Sequence, residues 1–335
     1  MPFNITNSLT IGKYAKKVAA GANWVAVGSS SLIANSMDGN SWTVAATTGG
    51  IIAYGFGVAY GQDGSGNGRW VVIGHYSNIA YSPDGNSWTA SVIRGGLDGG
   101  GNDVAYGQDG SGNRRWVAVS SQGSFIAYSS NGNSWTAALS KGGITIPYGV
   151  AYGQDGSGNG RWVTVGHSSI IAYSSNGNSW TAADTSGGII IGAGVAYGQD
   201  SSGNGRWVAV GSGSIIAYSS NGNSWTAAAT KGGITGAARV AYGQDSSGNG
   251  RWVATGGGSF IAYSPDGNSW TAAATKGGIT GGKNVSYGQD GLGNGRWVAV
   301  GYGSTIAYSP DGNDWTAAAT NGGIGTGYGV AFKRT

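Results

Sequence analysis

One polar loop recurs six times in this chain and offers the densest set of chemically able side chains. In its first full form, Gly61–Trp70, it reads GQDGSGNGRW. Asp63, Ser65 and Asn67 alternate like the oxygen donors of a Ca²⁺ loop, but one carboxylate per loop is a poor donor set for a hard cation. No bidentate acid follows at the offset such loops use. The simpler reading is a hairpin tip built from turn formers, with Asp63 and Arg69 offsetting each other. Arg115, Arg161, Arg206, Arg251 and Arg296 hold the same place as Arg69 in the other loops. Elsewhere the chemistry is sparse. There is no Glu, all 14 acidic residues are Asp, and the two His are His75 and His167. General acid–base pairs, activated nucleophiles and metal clusters draw on those residue types in concert. The expectation is a non-enzymatic protein with no catalytic residues, no metal site and no cofactor.

The elements that position these loops are set by a period. Trp24, Trp70, Trp116, Trp162, Trp207, Trp252 and Trp297 recur every 45 or 46 residues. Trp42, Trp88, Trp135, Trp180, Trp225, Trp270 and Trp315 follow the same rhythm and complete the 14 Trp of the chain. Within one unit four β segments can be read: VAY (Val195–Tyr197), RWVAV (Arg206–Val210), IIAYS (Ile215–Ser219) and SWTAA (Ser224–Ala228). They are rich in Val, Ile, Tyr, Trp and Thr and are separated by Gly, Asn and Ser clusters. No window has apolar residues at helical spacing, and Gly is too frequent for helix. Four strands at this period make a propeller blade. The fold predicted is all-β, a seven-bladed β-propeller with four antiparallel strands per blade. It is one domain over 1–335, with units at about 18–57, 58–103, 104–149, 150–194, 195–239, 240–284 and 285–329, and closing segments at 1–17 and 330–335. The Trp residues could be platforms for sugars. At fixed places in every unit they are more simply blade packing, worth at most about 4–6 kcal/mol each at ~25 cal/mol/Å².

The chain has eight copies of the first segment for seven sets of the other three. Ring closure therefore predicts that either Val330–Phe332 or Val18–Ala20 is the innermost strand of blade one, the other being surplus. Gly makes up 69 of 335 residues, about three times the usual share, yet 39% apolar residues and a strict period argue for a folded repeat domain. Cys is absent, so disulfides are excluded. The first residues, MPFNITNSLTIGKYAKK, lack the apolar core of a secretory signal. No apolar run reaches the ~20 residues of a membrane-spanning helix, so membrane insertion is not expected. The net charge of +4 is spread over single Arg and Lys residues rather than the basic cluster that nucleic-acid binding uses.

The third segment runs into the fourth through YSPDGNSWT, at Tyr81–Thr89 and again at Tyr263–Thr271. This resembles the Asp-box, or BNR, repeat of sialidase-like propellers, Ser-x-Asp-x-Gly-x-Thr-Trp, which lies at the turn between the third and fourth strands of a blade. Here the motif is one residue shorter. Asp38, Asp84, Asp266 and Asp311 keep the acid, whereas Asn131, Asn176 and Asn221 replace it. Asn makes the same turn bonds as Asp, so a structural role survives the exchange and a role needing charge does not. Sialidase activity in that family needs an Arg triad, a Tyr nucleophile assisted by Glu, and an Asp acid; this chain lacks the Glu. The units also look like propeller repeats in proteins of large viruses, phages and bacterial surfaces. That resemblance implies an attachment or shell role and an extracellular or virion-associated location. The fold hosts hydrolases, lectins and scaffolds alike.

Differences between units are the remaining signal. The turn after the second segment carries Ser29, His75, Ser121, His167, Ser212, Gly257 and Tyr302 in successive units, and the linkers into the next unit differ as well. In an antiparallel four-stranded blade these two connections share one end, so variation gathers on one face of the disc and repetition on the other. Loops carry function more often than scaffolds do. The candidate ligand-binding residues on the varied face are Tyr54, Phe56, His75, Tyr76, Arg94, Tyr148, His167, Arg239 and Tyr302. The competing reading is drift in linkers that only need to turn. His75 and His167 lie two blades apart, which argues against a shared metal. Exposed aromatics with neutral hydrogen-bonding groups suit sugars or a protein surface. The expected function is a binding module for glycans or a cell-surface receptor, of lectin or adhesin type. The alternative is a scaffold contacting protein neighbours in an assembly such as a virion shell or appendage.

Overall fold

The computed structural model describes residues 22–29, 33–51, 54–76, 79–97, 100–122, 126–167, 170–212, 215–257, 260–303 and 306–333. Among these residues there is no helix, and seven antiparallel sheets of the order A-B-C-D are arranged as the blades of a propeller. Blade two is typical: A, Gly55–Gln62; B, Gly68–Gly74; C, Ile79–Ser82; D, Thr89–Ala90. The A strands contact one another in a closed ring around the axis.

Blade one settles the closure. Its innermost strand is Gly327–Phe332, which pairs antiparallel with Trp24–Gly28 from Trp24↔Phe332 to Gly28↔Gly327. Ile33–Ser36 and Trp42–Val44 complete the blade. The Val330–Phe332 alternative therefore holds, while Val18–Ala20 lies outside the described residues.

The strands differ in length from the segments read in the sequence. A strands begin at Gly55, Gly101, Pro147, Gly192, Ala237, Gly282 and Gly327, ahead of the Val residues that marked them. These leading residues have little strand propensity of their own, but the B strand supplies a ladder for them. D strands are mostly shorter than expected, as in Thr226–Ala227, because the outermost strand has a partner on one side only.

The hydrophobic core is divided into seven clusters, each formed between adjacent blades. In one of them Val163, Val165 and Ile171 of blade four meet Val195, Trp207, Ala209 and Trp225 of blade five. Both faces of a blade are thus covered, and a B strand such as Trp24–Gly28 is buried along its whole length. That explains why apolar and polar residues do not alternate in the B segments.

Polar groups lock neighbouring blades together. The side-chain oxygen of Asn223 accepts the N–H of Asp184 at 3.0 Å, and the Thr185 hydroxyl both accepts the Trp225 N–H at 2.7 Å and donates to the Trp225 carbonyl at 3.0 Å. Asn40 and Thr320 repeat these bonds between blades seven and one, so the ring closes with the same contacts that build it. In the linker after blade two the hydroxyl position is taken by Ile93. There Ile93–Arg94 pairs as a short parallel strand with Ser134 and Trp135, adding a fifth strand to the outer edge of blade three.

Candidate functional site

At the varied face every A strand starts with a β-bulge. The register passes from Gly55↔Gly74 to Gly57↔Ile73 and leaves Phe56 without a partner. The same shift leaves Asn102, Tyr148, Ala193, Ala238, Lys283 and Tyr328 unpaired in the other blades. A bulge re-aims the side chain that escapes the ladder. Here all seven bulged residues line one cavity of about 330 Å³ at the mouth of the axis, together with Ile191 and Arg239.

The next residue is glycine in four blades: Gly57, Gly149, Gly194 and Gly329. A Cβ on Gly57 would lie 2.8 Å from the Cα of Asp103, so these glycines permit the innermost strands to touch. The other three blades place Asp103, Arg239 and Asn284 at this level. Arg239 donates through Nη1 to the carbonyls of Ala193 and Ala238 and through Nη2 to that of Tyr148 at 3.1 Å, while its Nε is buried without a partner among the described residues. It thereby reaches from blade six over blade five to blade four. Asp103 accepts the N–H of Val104 at 2.9 Å and of Val150 at 3.2 Å. The residue as a whole is half-buried. Burial pushes this carboxyl above the ordinary range, against the pull of Arg239 and of the two N–H donors.

One side of the mouth is aromatic. Phe56 lies 5.3 Å from Tyr328 and 6.0 Å from Tyr54 between ring centroids, and His75 packs edge-on against Tyr76 at 4.1 Å. Tyr76 has φ of 58° and is 63% exposed, an unusual backbone for a bulky side chain. The Nδ1 of His75 is enclosed and has no hydrogen-bond partner among the described residues. Burial raises the Tyr328 hydroxyl, with further contributions from Tyr302 and Tyr54. In the adjoining blade seven the Lys283 ammonium stands 4.4 Å above the Tyr302 ring. Lys283 also borders a second cavity of about 350 Å³, which Tyr302 and Ser212 line and which shares Ala193 and Ala238 with the first.

Of the residues singled out in the sequence, the structure brings Tyr54, Phe56, His75 and Tyr76 together, sets Tyr148 and Arg239 at the mouth, and joins Tyr302 through Lys283. Arg94 is elsewhere, on the outer edge of blade three opposite Trp135. His167 lies in the B–C turn of blade four, where its N–H bonds the Ile146 carbonyl, and lines neither cavity. Asn102, Lys283 and Tyr328 escaped the sequence reading. Their signal was available: each is two positions before the first Val of an A segment, as Phe56 and Tyr148 are.

The opposite end is uniform. Asp63 accepts the N–H groups of Ser65 and Asn67 at 3.0 and 2.9 Å, and the Arg69 guanidinium lies 3.6 Å from its carboxylate. Burial raises the Asp63 carboxyl, but Asn67, Ser65 and Arg69 outweigh it and hold the group below its usual value. The hairpin reading of these loops therefore accounts for Asp63 and Arg69. Arg69 further stacks 4.6 Å over Tyr81 and donates to the Asn131 carbonyl in the next blade. Arg206 makes the same reach to Asp266 at 2.6 Å. Blade one has no such Arg; the Ala22 N–H bonds the Asp84 carbonyl at 2.9 Å in its place. In the C–D turn, Asp38 accepts the N–H groups of Asn40 and Ser41 at 2.9 and 2.8 Å, and Asn131 accepts those of Asn133 and Ser134 at 2.9 and 2.9 Å. Acid and amide do the same work there. A larger cavity, about 470 Å³, lies toward this end of the A strands, lined mostly by the Val, Ala, Tyr and Gly of the repeat.

No family model matches this sequence, and no curated protein does. Solved structures of similar fold include YCF48 from Cyanidioschyzon merolae, with a TM-score of 0.55 and 16% identity over 81% of this chain and 86% of that one. YCF48 bound to a D1 peptide gives a TM-score of 0.50 and 16% identity over 75% and 77%. Virginiamycin B lyase from Staphylococcus aureus gives 0.57 and 9% identity over 78% and 83%. At these identities the likeness is one of fold, and the fold is a seven-bladed propeller.

Proposed function

We propose that this protein is a non-enzymatic binding module that recognises a glycan or another cell-surface ligand at the axial mouth of its varied face. One observation carries the reading. Seven bulges, at one register position in a nearly uniform scaffold, present seven residues of mostly different chemistry to a single cavity. Aromatic faces with amide and hydroxyl groups beside them suit the apolar faces and hydroxyl edges of sugars. A glycan-array screen with light scattering on the same sample tests it. A sugar hit from a monomeric disc, lost in Tyr148→Ala, supports the reading; a hit unaffected by substitutions at the mouth moves the site elsewhere.

A second reading, a scaffold for protein neighbours, draws on the rim. Val92 and Leu139 occupy equivalent linker positions after blades two and three and are 73% and 81% exposed. The fold itself is compatible with protein ligands, since YCF48 is known with a bound peptide. A blank array together with assembly that Leu139→Ser abolishes would favour this reading.

A further inference from the structure

We propose that the ligand of the axial mouth is an acidic glycan, a uronate-type sugar whose carboxylate pairs with Lys283 while its ring stacks on the aromatic side. This rests on the binding-module reading above and narrows it.

The charge at the mouth is one-sided. Lys283 and Arg239 line the cavity, and no carboxylate does. Among the described residues Lys283 has no acidic group within 4 Å; its ammonium instead rests over the Tyr302 ring, which leaves its charge unneutralised. Asp103 does not answer it: its two carboxyl oxygens accept the N–H groups of Val104 and Val150, and the cation that acts on it is Arg239. An anion entering the cavity thus meets the Lys283 ammonium with no acid paired to it.

The kind of anion follows from the donors. Arg239 has spent both Nη groups on the carbonyls of Ala193, Ala238 and Tyr148, so its fork is not free for bidentate capture. What remains is the single Lys283 ammonium over the Tyr302 ring. That donor suits a monoanion with a single point of contact better than a phosphate, which calls for several donors at once. Beside Lys283 in the ring stand Tyr328 of blade one and then Phe56, while the Asn102 amide and Tyr148 of blades three and four lie across from it. A ligand that fills this arrangement has an apolar face, hydroxyls and a carboxylate on one rigid ring. The volume of about 330 Å³ lies at the lower end of the range for small-molecule sites, enough for a terminal or single internal sugar unit.

Calorimetric titration with oligogalacturonate, with the same oligomer methyl-esterified, and with a neutral galactan oligosaccharide tests this, using wild type and Lys283→Met. Oligogalacturonate should bind at least about tenfold more tightly than its ester. Lys283→Met should erase that difference, Lys283→Arg should restore part of it, and the melting temperature should stay unchanged in both variants. Equal binding of acid, ester and neutral sugar, indifferent to Lys283→Met, overturns the acidic ligand and leaves the module reading standing. If none of the three binds, the acidic-glycan proposal falls, and the glycan array alone decides the module reading. A carboxylate-bearing peptide that binds at the mouth in place of any sugar overturns the glycan.

Discussion

The two ends of the innermost strands are built from the same seven A segments and have opposite characters. At the hairpin end, Tyr, Gly and Gln recur with almost no change; Gly153, for instance, has no room for a Cβ because Tyr197 of the next blade lies 2.1 Å from where it would stand. At the bulged end, consecutive blades offer Phe, Asn, Tyr, Ala, Ala, Lys and Tyr. The difference lies in what each side chain touches. A hairpin-end residue packs against the next blade in the same way each time, Gly against an aromatic ring, so a change in one blade disturbs two. A bulged residue faces the lumen and is outside the ladder, so its blade does not constrain it. Uniformity marks where the ring is held together, and variety marks where it is free to meet something else.

Experiments can break this contrast. The largest effect is expected from Trp207→Ala, which empties a fully buried site between blades four and five. It should cost about 3–5 kcal/mol in urea unfolding, whereas Tyr148→Ala should stay within about 1 kcal/mol while removing ligand binding. A Tyr148→Ala loss as large as that of Trp207→Ala would mean the mouth is part of the core. Next, Arg206→Met removes an ion pair, a stacking contact and the bond to the Asp266 carbonyl. A loss of about 1–3 kcal/mol without change in binding is expected; a change in binding would extend the site to the repeated end.

Acid titration sharpens the contrast further. Burial raises the carboxyls of the hairpin and C–D turn, but hydrogen bonds and Arg neighbours outweigh it, so Asp63, Asp200, Asp38 and Asp266 lie below their ordinary values. Their stabilisation is complete above the unfolded value of about 4 and is lost as pH falls through the lower folded value. Asp103 has the opposite sign. Its folded value is raised, so protonation favours the fold and stability rises as pH falls through it. Asp103→Asn should remove that rise and leave the acid loss intact, which denaturant midpoints between neutral pH and pH 3 would show. Smallest of all, Asn176→Asp should change stability by no more than about 0.5 kcal/mol near neutral pH, because both side chains accept the same two N–H groups.

Much of the architecture was legible before any coordinates. The two Trp series fixed the number of blades, and the surplus A segment foretold a closing strand. What stayed hidden was backbone geometry. The bulge is marked only by its place two positions before the first Val of an A segment and not by residue type, since Phe, Lys and Ala all occupy it, and the Gly, Pro or Ala ahead of it does not announce a strand. Asn102, Lys283 and Tyr328 were therefore read as linker. Arg94 was misplaced for a different reason. Where Thr or Ser closes other linkers by a hydroxyl bond to the next Trp, Ile93 cannot, and the backbone pairs with Trp135 instead, carrying Arg94 to the outer rim. A single lost hydroxyl changed the path of the chain there.

The bulges also make the ring writable. Each blade holds one position whose identity its hydrogen-bond ladder does not inspect, and all seven positions look into the same volume. Copying a unit extends the scaffold, and one codon change in the copy then alters what the assembled disc displays. Randomising Phe56, Asn102, Tyr148, Ala193, Ala238, Lys283 and Tyr328 would thus compose a combinatorial library on a single frame, its members differing in specificity and sharing one melting transition.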